Sequence, residues 1–260
     1  MNDIRHMILA AVSCALLLSS CAVKEDRSSC PCLLVLDFSG TDTSVVNMAE
    51  VVVMEEPDIL SADTVEVSRL GGFYRTSVPR RSLHLKVWSG TDSLSSDGIL
   101  TIPLGRDCPP VYMHDSDILP QNERYDEVVR MRRNHCRLKI QIEGSHEFSY
   151  GLRLEGNVAG YDSHGDPMTG EFSYVVPYDE FRMEYLAVLP RQSDASLMLY
   201  IDDGDTSVKA FALGQYIVSG GYDWTADDLE DISVSIDFAQ TEVLVTVDGW
   251  ESVYDYDVEL

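Results

Sequence analysis

The sequence is poor in basic residues: 19 Lys and Arg stand against 44 Asp and Glu, a net charge of −25. Such a chain repels nucleic acid and anionic headgroups, which excludes nucleic acid as a partner. It has no apolar run long enough to span a bilayer core, which needs about 20 residues. It has no G-x-S-x-G elbow, H-E-x-x-H pair, P-loop or dinucleotide glycine fingerprint. Its six histidines are scattered. No enzyme activity, metal or other cofactor is therefore expected. Asp202-Asp203-Gly204-Asp205 resembles part of a calcium loop but lacks the closing glutamate, and reads as a hairpin turn.

The one apolar run, Met7 to Leu18, follows Arg5 and has the length of a signal-peptide core. Leu18-Ser19-Ser20-Cys21 closes it with small residues before a cysteine, the pattern a lipoprotein signal peptidase requires. Residues 1–20 are thus expected to be removed and Cys21 to carry the lipid, with 21–29 as a lipidated linker. Lys24-Glu25-Asp26 follows at once and looks like a surface-export signal, which would place the protein on the outer membrane facing outwards.

Four further cysteines remain: Cys30, Cys32, Cys108 and Cys136. Export permits disulfides. A Cys30–Cys32 bridge would close a strained ring across Pro31, so each is expected to pair with a distant cysteine, with the connectivity open. Their spacing lacks the paired C-x₂-C of a zinc site.

The hydrophobic pattern has a period of two. Leu83, Leu85 and Val87 alternate with His84, Lys86 and Trp88; Leu138, Ile140 and Ile142 with Lys139 and Gln141; Ile232, Val234 and Ile236 with Ser233 and Ser235. Each set predicts a half-buried strand with its polar face outwards. Similar segments recur at 33–39, 51–55, 65–70, 150–157, 171–177, 184–189, 196–202, 208–213 and 242–248. Gly71-Gly72, Gly204 and Gly220-Gly221 mark turns. The only helical turn expected is Thr225 to Leu229. Many short strands imply an all-β chain of two sandwiches, 30–133 and 134–260, joined at the basic stretch Arg130 to His135. The region 107–127 reads as irregular. Trp88, Trp224, Trp250 and thirteen tyrosines could form a sugar platform. Asp63-Thr64-Val65 and Asp92-Ser93-Leu94 resemble short O-glycosylation acceptors.

Several segments together resemble the FimB-type fimbrial anchor lipoproteins: Asp26 to Pro31, Gly72-Phe73-Tyr74, Gly156 to Gly165, and Gly221-Tyr222-Asp223-Trp224 followed by Asp227 to Asp231. The resemblance implies two tandem transthyretin-like β-sandwich domains and a structural role, tethering a fimbrillin pilus to the outer membrane. Subunits of this class join by donor-strand exchange; stalk subunits first lose their N-terminal strand to a trypsin-like protease, whereas an anchor keeps it. No Lys or Arg lies between Arg27 and Arg69, so the strand 33–39 cannot be released from the following loop. Arg27 itself is a hazard, because a cut there would free the body from its lipid, so it is expected to be protected or spared by processing. Val243, Val245 and Val247, spaced two apart near the C-terminus, are the candidate donor strand for a neighbouring pilin. The competing expectation is a surface glycan-binding lipoprotein of a polysaccharide-uptake system.

Overall fold

The computed structural model describes residues 30–90, 98–143, 150–202, 208–237, 242–247 and 250–255. In chain order its elements are β1 Pro31–Asp37, β2 Met48–Glu55, β3 Asp58–Glu66, β4 Phe73–Pro79, β5 Leu83–Ser89, β6 Leu100–Thr101, β7 Tyr112–Ile118, β8 Arg124–Val128, β9 Arg132–Arg133, β10 His135–Glu143, β11 Gly151–Tyr161, β12 Pro167–Val176, β13 Tyr178–Asp179, β14 Glu184–Pro190, β15 Met198–Asp202, β16 Val208–Phe211, helix α1 Leu213–Ser219, β17 Ile232–Asp237, β18 Glu242–Val247 and β19 Trp250–Asp255. The all-β expectation holds.

Alternation builds two sheet pairs. In the first half, the sheet β4-β1-β8 faces the sheet β3-β2-β5-β7-β9. Cys32, Leu34 and Leu36 of β1 meet Val51 and Val53 of β2 and Leu83, Leu85 and Val87 of β5 in one core. In the second half, β13-β14-β10-β17-β18-β19 faces β12-β11-β15-β16. Leu138 and Ile140 of β10, Leu152 and Leu154 of β11 and Ile232, Val234 and Ile236 of β17 lie in the other core. Full burial of each such side chain contributes about 1.5–3 kcal/mol.

Strand β5 departs from the sequence reading. All seven of its residues are buried. Its apolar face looks into the first core, but the face carrying His84, Lys86 and Trp88 does not meet solvent. It lies against the second half, and Trp88 belongs to the second core. The connection between the halves is also deeper than a linker. Leu100, Ile102, Cys108 and Val111 all pack into the second core although they precede residue 134. Within this crossing, β6 pairs with Gly160 and Tyr161 of β11. Gly160 has φ 150°, and a Cβ there would lie 1.9 Å from the Leu100 carbonyl oxygen, so only glycine admits β6 so closely.

Three local expectations are corrected. The region 107–127 is not irregular: it holds β7 and most of β8. Both were hidden because their exposed positions carry Asp, Glu and Arg without a clean apolar period. The helix is not at Thr225–Leu229, where the Asp223 carboxylate takes the Thr225 amide at 2.8 Å and its hydroxyl at 2.6 Å and holds a turn instead. It lies at α1, whose buried Leu213, Gly214 and Ile217 share one face. Third, the segment 65–70 is strand only to Glu66 and then a 3₁₀ turn, Val67–Arg69.

Candidate functional site

The first candidate is β1, the strand that the sequence reading expected to stay in its groove. β1 sits in the middle of its sheet, paired antiparallel with β4 from Pro31↔Pro79 to Asp37↔Phe73 and parallel with β8 from Leu33↔Arg124 to Asp37↔Val128. Three further bonds lie at its ends. The amide of Leu33 donates to Glu123 at 2.8 Å, that of Phe38 to Gly72 at 2.7 Å, and that of Val129 to Asp37 at 2.9 Å. Gly71 and Gly72, at φ 61° and 90°, provide the turn that presents the Gly72 carbonyl and starts β4. Both ladder edges of β1 are thus occupied, and Leu34 and Leu36 are wholly buried.

The loop that follows is exposed at Ser39–Gly40 and Asp42–Val45. The Asp42 carboxylate accepts the Ser44 amide at 2.9 Å and its hydroxyl at 2.7 Å, bonds that hold the Asp42 pKa below its ordinary value. The loop is accessible but carries no basic residue for a trypsin-like protease.

The second candidate is the C-terminal pair of strands. β18 pairs with β17 on one side, with Val243↔Ile236, Val245↔Val234 and Val247↔Ile232, and with β19 on the other. Val243, Val245 and Val247 therefore sit in the six-stranded sheet of their own half of the chain, one strand in from its edge. β19 forms that edge.

The third feature was not legible in the sequence: a polar clasp between the halves. Lys86, wholly buried, donates to the backbone carbonyls of Gly98 at 3.4 Å, Asp162 at 3.0 Å and Ser163. Its ammonium also lies 4.4 Å from the Trp88 ring centroid. Burial pulls its pKa down to about 8, opposed by Asp115, Asp162 and Asp166. Two positions away, His84 bonds Asp115 at 2.9 Å and Asp117 at 3.0 Å. The Asp115 bond is the largest cause of its pKa rising to about 9; burial opposes it, and Asp117 adds to the rise. The His84 ring packs 5.1 Å from that of His164, which reaches Glu56 at 2.6 Å. β5, β7 and the β2–β3 turn thereby grip the turn between β11 and β12.

The basic stretch Arg130 to His135 is paired with the acidic run Asp227 to Asp231. Arg132 pairs with Asp227 at 3.0 Å, and Arg133 pairs with Asp231. The Arg133 amide donates to Asp228 at 2.6 Å, and the Leu229 amide donates back to the Arg133 carbonyl at 3.1 Å. The acidic run Asp227 to Asp231 is thus explained as the partner of this stretch. Above it, the guanidinium of Arg191 gathers the Asn134 side chain at 2.9 Å and the carbonyls of Trp224 and Ala226.

The remaining sequence candidates fall as follows. Cys21, Lys24, Glu25 and Asp26 lie outside the described residues, as do Ser93 and Asp203 to Asp205. Cys30, Cys32, Cys108 and Cys136 are free thiols. The expected pairing of Cys30 and Cys32 with distant cysteines is not formed. Cys32 faces the first core while Cys108 and Cys136 face the second, with the sheet containing β5 between the two cores. Burial pushes the Cys136 thiol up to about 12. Trp88 and Trp224 are buried and form no sugar platform; the Trp250 side chain lies outside the description. Thr64 is exposed on the edge strand β3, beside Asp63, whose carboxylate binds the Tyr74 hydroxyl. Among the described residues no group of His, Cys, Asp and Glu could hold a metal ion, and no helix is long and apolar enough to cross a membrane.

Residues 112–256 match the family model of the fimbrillin-A associated anchor proteins Mfa1 and Mfa2. Among solved structures, the chain is similar to the fimbrial anchor protein Mfa2 from Porphyromonas gingivalis, with 11% identity and a TM-score of 0.62 over 87% of this chain and 100% of that one. It is similar to a candidate adhesin from Bacteroides ovatus, with 16% identity and a TM-score of 0.64 over 90% and 97%. It is also similar to a candidate polysaccharide-binding protein from Bacteroides thetaiotaomicron, with 13% identity and a TM-score of 0.64 over 87% and 98%. At these identities the likeness is one of fold. No curated protein matches the chain.

Proposed function

The chain belongs to the family of fimbrillin-A associated anchor proteins, structural proteins rather than enzymes, and from that premise we propose that it fixes a fimbrillin-type pilus to the outer membrane as a lipoprotein. Cys21 carries the lipid, Lys24-Glu25-Asp26 directs export to the surface, and residues 30–133 and 134–260 form two transthyretin-like sandwiches in tandem. The observation that carries this reading is the state of β1. Both of its ladder edges are paired, its inward side chains Cys32, Leu34 and Leu36 are buried, and the loop behind it lacks a basic residue. A subunit whose first strand stays in place keeps its own groove filled. It can hold a neighbour only by giving a strand, and it stays attached to whatever its N-terminus is bound to.

The strand given is the segment around Val243, Val245 and Val247. Strand addition supplies main-chain hydrogen bonds for affinity and alternate side-chain pockets for specificity. Donation then means that β18 and β19 leave β17, exposing the Ile232–Asp237 edge.

Two variants test the reading. Cys21→Ala is expected to leave the protein soluble or signal-retaining and to shed pili into the medium; unchanged membrane fractionation would end the lipoprotein claim. Deletion of 242–260 is expected to leave a folded, lipidated protein that no longer retains pilin. A truncated protein that still holds pili assigns donation elsewhere, and one that cannot fold shows β18 to be an internal strand.

A further inference from the structure

Large exposed apolar side chains are not spread evenly over this molecule. The three most exposed among the described residues are Phe181 at 101%, Met183 at 69% and Val175 at 65% relative exposure. All three belong to the segment from the end of β12 to the start of β14, and Tyr178 between them is also exposed. Single exposed apolar residues are ordinary, but a cluster of this kind marks an interaction site.

Strand register places the cluster at one end of the second half. Tyr178 lies opposite Tyr185, and Tyr185 opposite Ile140. Beyond Ile140 the same end of the six-stranded sheet is formed by Glu143, Asp237, Glu242 and Asp255, which follow one another across the pairings. In the facing sheet, Val176 pairs with Leu152, and Gly151 with Asp202, at the corresponding end. The Tyr185 hydroxyl donates to the Tyr150 carbonyl at 2.7 Å and ties the two sheets together there. The opposite end is taken up by the first half: His135 bonds Val111 at 3.0 Å, and Asp162 and Ser163 hold Lys86.

The tip is built rather than loose. The Asp179 carboxylate accepts the amides of Phe181 at 3.0 Å and Arg182 at 3.1 Å. Met183 is the only non-glycine among the described residues with positive φ, at 55°. A left-handed backbone is unfavourable for an L-residue, and strain of this kind gathers at functional positions. Held so, the turn presents Phe181 and Met183 outwards.

We propose that this tip, Phe181 and Met183, is a second docking surface that seats in an apolar recess of the adjacent pilin subunit. The proposal rests on the anchor reading. β19 ends at Asp255 on this same end, so a donated β18–β19 segment would pass into the neighbour from the face that carries the tip. The other end is covered by the half whose first strand leads back to the lipid. The strand would supply main-chain hydrogen bonds, and the tip would fix the angle between anchor and pilin.

The test uses full-length lipidated protein carrying Phe181→Ser with Met183→Ser, alongside Phe181→Ser alone and the 242–260 deletion. Pilin released into the medium is measured against pilin sedimenting with cells, and purified pilin is titrated onto each variant. Because the side chains are solvent-exposed, the double variant is expected to melt and fractionate like the parent. It is expected to bind pilin about tenfold more weakly, a loss of about 1.4 kcal/mol, and to shed it, with the single variant intermediate. Unchanged retention by the double variant, while the deletion sheds pilin, would overturn the tip and leave the anchor reading standing. Reduced membrane association or loss of a dimer, without loss of pilin, would assign the tip to a lipid surface or a second copy and overturn the proposal as well. If neither the deletion nor the double variant sheds pilin, both readings fall.

Discussion

Lys86 and His84 show how far a side chain can be carried from the environment its type suggests. Both alternate with leucine and valine on β5, and both are buried against the second half. Their titrations oppose one another. An unfolded imidazole titrates near 6.5, and Asp115 and Asp117 raise the folded value to about 9. The stability His84 contributes is therefore full below 6.5 and is lost as pH rises through 9. Lys86 behaves inversely: its folded value of about 8 lies below the ordinary 10.5, so holding its cation costs stability below pH 8, and that cost disappears as pH rises to 10.5. The two windows overlap only between 8 and 9, so His84 acts alone between 6.5 and 8. Thermal unfolding of the wild type and of His84→Gln, followed from about pH 6 to about pH 9.5, is expected to give a stability difference that is largest at the acid end and closes at the alkaline end. A pH-independent difference would mean that His84 acts through packing alone.

At the scale of the element, β1 carries the distinction that the proposed function draws between an anchor and a stalk subunit. Its two ladders and the buried Leu34 and Leu36 are what would hold it in place if the chain beside it were cut. Thr43 is exposed in the loop behind it, next to the Asp42–Ser44 turn. Thr43→Arg supplies the basic residue that this loop lacks. Trypsin is expected to nick the variant there, and β1 should remain bound, keeping the body on the membrane until denaturant displaces it. Release of the body on nicking alone, read by membrane sedimentation, would show that covalent continuity rather than pairing holds the strand. β18 presents the opposite case. The alternation that singled out Val243, Val245 and Val247 describes a strand equally well whether it completes its own sheet or a neighbour's. In the isolated chain it completes its own.

At the scale of the whole molecule, polar contacts among the described residues fasten the two halves to one another. The Lys86 ammonium answers three carbonyls, two of them across the joint, and Arg132 and Arg133 are fastened to Asp227, Asp228 and Asp231. Removing one partner of a buried polar group costs more than the group's net contribution, because the others are left unsatisfied. Lys86→Met is expected to lose roughly 2–4 kcal/mol on that account and to spread a single calorimetric transition into two, as the halves begin to unfold separately. A single, unshifted transition would show that the shared apolar contacts of Trp88, Leu100 and Val111 suffice to couple them.

The amino-acid sequence by itself determined the all-β class, most strand positions and the family, because alternation and short turn motifs are local and survive in the order of residues. Positions 83–88, 138–142 and 232–236 could be read in this way since each strand has one apolar face wherever its partner lies. The absence of Lys and Arg between Arg27 and Arg69 was equally plain. The tertiary structure decided the rest. That His84 and Lys86 face the second half of the chain and not water, that residues 100–111 cross into the second core, that Cys32 is kept apart from Cys108 and Cys136, and that Phe181 and Met183 stand at the same end as the finish of β19 all depend on which surfaces meet. Polar residues on a strand look alike in sequence whether solvent or a neighbouring carbonyl satisfies them, and only packing distinguishes the two.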